Sequence, residues 1–237
     1  MPLKRLGFVR RAPEVDAGGF AASWRQDALW TIEQAGGAGP RARVHCVGRD
    51  QRDRAAHHGV SIEWFAGEAE LAAFDAETAS AAPGGARRAT IESAPSVLVS
   101  ERVVAGDDDV IARWCRPPGS HDQLRPVLIG LIERAPHLSR SEFADYWWSQ
   151  HRPLASALVP AALGPGAYVH NYVLEGQPGQ WDGIGELYED SLDIARLRGE
   201  WFDSPAANEL IADEERFLVR STRQVLVCDQ EFVSANG

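Results

Sequence analysis

Apolar residues recur along this chain with two periods, and the periods come round twice in the same order. KRLGFVR, RARVHCV, HGVSIEWFA and APSVLVSERVV alternate or run apolar in short β-branched blocks, which predicts strands. VDAGGFAASWRQDALWTIEQA and GEAELAAFDAETA carry apolar positions three and four apart, which predicts helices. The order is strand, helix, strand, strand, helix, strand. It returns in RPVLIGLIER, SRSEFADYWWSQHRPLASAL, GAYVHNYVLE, DGIGELYED, SLDIARLRGEWFDSPAANELIADEERFLV and TRQVLVCDQEFV. Single residues echo too. Phe20 and Trp24 match Phe143 and Trp147 at an offset of 123, and Val44-His45 matches Val169-His170 at 125. His58-Gly59 matches Asp182-Gly183 at 124, and Val97–Val99 matches Val225–Val227 at 128. So small a drift is what short insertions leave in a duplicated unit.

Each half therefore reads as βαββαβ, an α+β, ferredoxin-like unit. Residues 1–106 form the first and 124–237 the second, with an acidic, Pro-Gly-containing linker at 107–123. Ala79 to Thr90 is a Gly/Pro/Ala loop inserted in the first unit. A βαββαβ sheet carries helices on one face only, so its other face needs a cover. Two such units can set their sheets face to face and close a pseudo-dimeric α/β barrel with a pocket inside.

Composition narrows the partners. The 237 residues carry a net charge of −10, with 44% hydrophobic and 24% charged residues. That balance suits a globular domain and argues against nucleic acid or an anionic membrane as partner. Cys46, Cys115 and Cys228 are far apart, without CxxC spacing, so neither a disulfide framework nor a zinc site is expected and a cytoplasmic setting fits. No signal peptide or membrane span is expected. P-loop, Rossmann, HExxH and GxSxG motifs are absent, and His57-His58 alone is too little for a metal site.

The second half resembles the EthD family of the dimeric α/β-barrel superfamily. The resemblance runs from about Pro126 to Val233 and rests on the F-x-x-Y-W-x-x-x-H-x-P-L helix, the D-G-x-x-E strand and the S-P-A…D-E-x-x-F helix. The first half is similar to a degenerate copy. The resemblance implies a ferredoxin-like unit that usually dimerises into a barrel, and a homodimer of such two-unit chains is the implied higher assembly. It implies little about activity, because relatives include cyclases, decarboxylases, dehydratases, isomerases, cofactor-free monooxygenases and haem enzymes.

The candidate chemistry follows from residue type and phase. Phe143, Trp147 and His151 lie on one helical face, and Pro153 is expected to stop the helix just after the imidazole. An imidazole titrates near neutrality, so His151 suits proton transfer; a capping histidine at a helix C-terminus is the structural alternative. Alternation in AYVHNYV puts Tyr168, His170 and Tyr172 on one face, expected to line the barrel interior, with Val169, Asn171 and Val173 expected against the helices. In DGIGELYED, Asp182, Ile184, Glu186 and Tyr188 share a face, while Gly183 and Gly185 are small enough for a closely packed helix. Glu186 is expected to point into the barrel, as a tuned carboxylate or in a salt bridge, for instance with Arg43. His151, His170 and Glu186 are the catalytic candidates. Tyr146, Trp148, Tyr168, Tyr172, Asp182, Tyr188, His45 and Arg43 are the substrate-binding ones, with Trp201 a further aromatic, and core packing is the structural alternative for the aromatics.

In the first unit Ala28 stands where the second has His151, His58 where it has Asp182, and Ile62 where it has Glu186. The second unit is thus expected to hold the site. The expected function is a lyase, cyclase or isomerase that moves a proton on a small aromatic or polyketide-like molecule, with no cofactor and no metal. A haem or cofactor-free oxygenase and a non-catalytic ligand-binding or assembly barrel are the rivals.

Overall fold

The structure, a computed structural model, describes residues 3–34, 39–49, 56–80, 91–93, 95–106 and 126–235. The expected linker at 107–123 and residues 81–90 of the expected loop lie outside these. Two compact units emerge. One comprises Met1–Ser100, Ile111–Leu124 and Leu226–Gly237; the other comprises Glu101–Val110 and Arg125–Val225.

The first unit contains β1 (Leu3–Arg11), α1 (Ala17–Gln34), β2 (Ala42–Gly48), β3 (Gly59–Phe65), α2 (Glu68–Ser80), β4 (Ile91–Ser93) and the start of β5 (Ser96–Ala105). β1 is central: Leu6 pairs with Ile62 of β3 on one side and with Val97 of β5 on the other, both antiparallel. β2 continues the sheet beyond β3, with Val44 opposite Ile62. On its far edge β2 pairs with β9 (Gln224–Ala235), from Ala42 opposite Ala235 to Gly48 opposite Cys228. The three-residue β4 was not expected from the sequence. It pairs with the end of β1 where the register shifts, and a run so short carries no readable periodicity.

The second unit contains β6 (Pro126–Ile132), α3 (Arg140–Tyr146), a π-helical turn (Trp147–His151), α4 (Arg152–Leu158), β7 (Ala167–Val173), β8 (Gly183–Tyr188), α5 (Leu192–Phe202) and α6 (Asn208–Phe217). β8 lies between β6 and β7, antiparallel to both, with Glu186 opposite Ile129 and Val169. The stretch from Ser191 to Val219 is not one helix. Ser204-Pro205 breaks it into α5 and α6, joined by a 3₁₀ turn at Pro205–Ala207, because a residue before proline is driven out of the helical region.

One packing device occurs in both units. In the first, the Trp24 ring stacks on His45 at 4.3 Å, and a Cβ on Gly59 would sit 3.1 Å from Trp24 Nε1. In the second, Trp147 stacks on His170 at 3.8 Å, and a Cβ on Gly183 would sit 2.6 Å from Trp147 Cζ3. A helix tryptophan thus lies in a notch that a strand glycine leaves open, against a strand histidine. The offsets of 123, 124 and 125 between these residues mark the same three positions.

Candidate functional site

The helix that carries His151 starts at a capping box: Ser139 Oγ accepts from Glu142 N, and Glu142 Oε2 accepts from Ser139 N. It does not stop at Pro153. The backbone widens to a π turn in which Arg152 N donates to Trp147 O, and Pro153 falls in the first turn of α4. A proline tolerates that position because it supplies no N–H there. Arg152 Nε donates to Trp148 O at 3.2 Å beside it. His151 is therefore a mid-helix residue at a π bulge, a feature frequent at functional sites, and not a C-terminal cap.

His151 Nδ1 lies 2.8 Å from Asp213 Oδ2, and Tyr146 Oη donates to Asp213 Oδ1 at 2.7 Å. Both His151 and Asp213 are buried, their side chains 8% and 6% exposed. Phe217 packs 4.8 Å from the imidazole, and Arg216 reaches Asp213 at 4.0 Å. A carboxylate on Nδ1 fixes the tautomer and leaves Nε2 to exchange a proton with a substrate. The Tyr146 hydroxyl has its pKa raised, by desolvation first and then by its bond to Asp213.

Asp213 was not among the sequence candidates. The signal was there: the buried face of α6 is Leu210, Asp213, Glu214 and Phe217, so two carboxylates interrupt an apolar stripe at helical spacing. Glu214 is occupied by Arg220 and Arg223.

His170 is fully buried. Its ring is boxed by Trp147 at 3.8 Å, Tyr168 at 4.7 Å, Tyr172 at 6.1 Å and Trp148 at 6.3 Å. Nδ1 lies 3.2 Å from Tyr172 Oη, and Nε2 is sealed without a partner. Burial, and then the charges of His151, Arg152 and Arg102, hold its pKa down to about 2, so it is neutral. Desolvation pushes the Tyr168 hydroxyl up, and lifts Tyr172 to about 12.

The expected facing of β7 is reversed. His170 lies opposite Gly185, Tyr172 opposite Gly183 and Tyr168 opposite Leu187. Directly opposed residues share a face, so the Tyr-His-Tyr face meets the helix, as the Trp147 stacking shows. Val169 lies opposite Glu186, which puts Val169, Asn171 and Glu186 on the face away from Trp147. The glycines and the valines of this hairpin could not both face the helices, since the pairing register sets them on opposite sides.

The three catalytic candidates therefore do not converge. His151 and His170 belong to the helix side of the second unit, whereas Glu186 lies across the sheet, where it accepts from Asn171 Nδ2 and Tyr188 Oη at 2.9 Å each. Asp182 is tied to Arg140 at 3.0 Å and Arg134 at 3.3 Å, bracing the start of β8. Trp201 packs edge-on against Phe202. In the first unit His45 lies under Trp24, and Arg43 pairs with Glu63 at 2.8 Å. Arg43 also lines a cleft of about 340 Å³ with Arg5, Phe74 and Asp75.

The stretch holding α3, the π turn and the Asp213 helix matches the EthD domain over residues 135–221. These residues form an EthD domain. Its His151–Asp213 pair joins the two helical segments by which the family pattern was recognised. The chain matches no curated protein. Solved structures resemble it over its whole length at low identity. An anthrone oxidase-like protein covers 100% of this chain and 93% of its own, at 12% identity and TM-score 0.67. A proposed monooxygenase from Lactobacillus acidophilus NCFM covers 100% and 97%, at 11% and 0.52. A mutant chlorite dismutase from Candidatus Nitrospira defluvii covers 97% and 90%, at 10% and 0.52. The likeness is one of fold, that of a mixed α/β chain. Among the described residues no helix is long and apolar enough to cross a membrane, and no group of three or more His, Cys, Asp or Glu side chains is placed to hold a metal ion.

Proposed function

We propose that this chain is a pseudo-dimeric α/β-barrel enzyme of residues 1–106 and 124–237, whose second unit removes a proton from an acidic carbon of a small aromatic or polyketide-like substrate. The observation that carries the reading is the Tyr146–Asp213–His151 relay, with its carboxylate and imidazole buried and its phenol half-buried. His151 Nε2 takes the C–H proton, the electron pair stays on the substrate as an enolate, and Asp213 steadies the imidazolium. The enolate then expels hydroxide from its β-carbon, which leaves as water with the proton from His151, or attacks a carbonyl to close a ring, or is reprotonated elsewhere. In a decarboxylation the enolate forms as carbon dioxide departs and His151 delivers the proton to it, with no cofactor. His170, neutral and buried beside this site, and Tyr172 shape the substrate's surroundings.

The resemblance to an anthrone oxidase-like protein over the full chain favours a second outcome of the same first step. Molecular oxygen oxidises the carbanion, a CH₂ becomes C=O, and the second oxygen atom leaves as water. Haem is the alternative that the wider superfamily raises. His151 would be the residue to hold it, because a metal-bound imidazole carries a carboxylate or carbonyl on its other nitrogen, as Asp213 sits on Nδ1 here. His170 does not fit, with its ring flat on Trp147 and Nε2 sealed. Bound there, haem would supply one-electron and oxygen chemistry.

The test is deuterium exchange into the acidic CH₂ of an anthrone in D₂O, followed by NMR with oxygen excluded. The enzyme is expected to accelerate exchange, and His151→Ala and His151→Gln to lose about two to four powers of ten of it. Unchanged exchange with a lowered melting temperature would make His151 a packing residue and overturn the proposal. Oxygen uptake in air separates the two outcomes, and a Soret band after incubation with haem identifies the alternative.

A further inference from the structure

Two guanidiniums meet at one indole on the helix side of the second unit. Arg152 lies 4.3 Å from the Trp148 ring centre, and Arg102 lies 5.3 Å from the centres of both Trp148 and Tyr172. Neither has a carboxylate within ion-pair distance among the described residues. The other described arginines of this unit all do: Arg134 and Arg140 on Asp182, Arg196 on Asp193 and Glu200, Arg198 on Glu189, Arg216 on Asp213, and Arg220 and Arg223 on Glu214. Acids are not scarce in a chain with 34 Asp and Glu against 24 Lys and Arg. Asp145 acts on Tyr172 from an exposed position but has no ion pair with either arginine. Arg102 is exposed and Arg152 half-exposed, so both remain open to a ligand. Arg152 directly follows His151 in the chain, and His170 Nε2, sealed and without a partner, lies behind Trp148 and Tyr172 in the same cluster.

We propose that Arg102 and Arg152 form an anion subsite, and that the substrate taken up beside His151 is an aromatic carboxylate. The ring packs on Trp148 and Tyr172 while the carboxylate accepts paired N–H groups from the guanidiniums. The substrate thereby supplies the negative charge that the described residues leave out of this cluster. The assignment rests on the proton-transfer reading for what happens next, but binding is measurable without it.

The experiment is titration calorimetry with 2-naphthoate and its uncharged methyl ester as probes, on the full chain. The acid is expected to bind about tenfold or more tighter than the ester, as a charge-assisted hydrogen-bonded pair should, and to weaken as salt rises. Arg102→Gln and Arg152→Gln should each weaken the acid about tenfold and leave the ester unchanged. Arg102→Gln carries the test alone if Arg152→Gln, which loses the bond to Trp148 O, does not fold. Equal affinity for acid and ester, or Gln variants that bind the acid like the wild type, would overturn the subsite. His151→Gln should bind the acid normally. If it also keeps proton exchange, the catalytic reading fails while the subsite stands; if it loses exchange and acid and ester bind alike, the subsite alone fails.

Discussion

Gly183→Ala isolates the contact on which the second unit's helix side depends. A Cβ at this position would lie 2.6 Å from Trp147 Cζ3 and 2.9 Å from Phe143 Cζ. Ordinary carbon contacts begin near 3.5 Å, so the rings must retreat by ~1 Å. Both are 1% exposed and packed with Ile132, Phe217 and Leu218, so neither has room to give. Overpacking of this kind costs about 1–3 kcal/mol, and a strand alanine returns roughly 0.5–1 kcal/mol of backbone entropy. A net loss of about 1–2 kcal/mol lowers the melting temperature by roughly 2–8 °C in a chain of this size. Gly185→Ala provides the control, since its Cβ would meet Tyr168 at 3.5 Å and Trp147 at 3.9 Å, ordinary contact distances. It should stay within about 1 kcal/mol of wild type. Gly199→Ala, in the middle of α5 with nothing within 4 Å, should gain about 0.5–1 kcal/mol. Thermal melts of the three variants by circular dichroism decide the matter. A Gly183→Ala protein that melts at or above wild type, or above Gly185→Ala, would refute the close-packed notch.

Two further predictions concern the buried polar groups. Asp213→Asn presents an amide to His151 Nδ1 and favours the wrong tautomer, so proton exchange should fall by about two to four powers of ten; Tyr146→Phe, which leaves the His151–Asp213 contact in place, should cost far less, and equal losses would show that the carboxylate does not act through His151. His170 takes up a proton near 6.5 when unfolded but only at about 2 when folded. Between those values the unfolded chain holds more protons, so stability rises with pH and is lost as pH falls below about 6.5, by about 2 kcal/mol between pH 7 and 5; urea midpoints across that range should fall less steeply in His170→Asn, and parallel curves would assign the acid sensitivity elsewhere.

The order of elements was legible because periodicity is local: each strand and helix declares itself within its own window. The shared packing device was legible as well, since Trp24, His45 and Gly59 and their counterparts Trp147, His170 and Gly183 have the same identity and nearly the same spacing. His151 could be picked out because a helix that ends its aromatic stripe in an imidazole is unusual, and Tyr146 as one of the aromatics beside it. Other features waited for the tertiary structure. Alternation says that Tyr168, His170 and Tyr172 share a face, but with Tyr-His-Tyr on one side and Val-Asn-Val on the other, neither polarity pattern says which side meets a helix. The register to β8 decided that, by setting Tyr172 over Gly183 and Val169 over Glu186. The same register separated Glu186 from His151. Asp213 lies 62 residues from His151 and Arg102 lies 46 residues before Trp148. No local pattern encodes a partner at that range; the relay and the paired guanidiniums exist only because the fold brings these distant segments together.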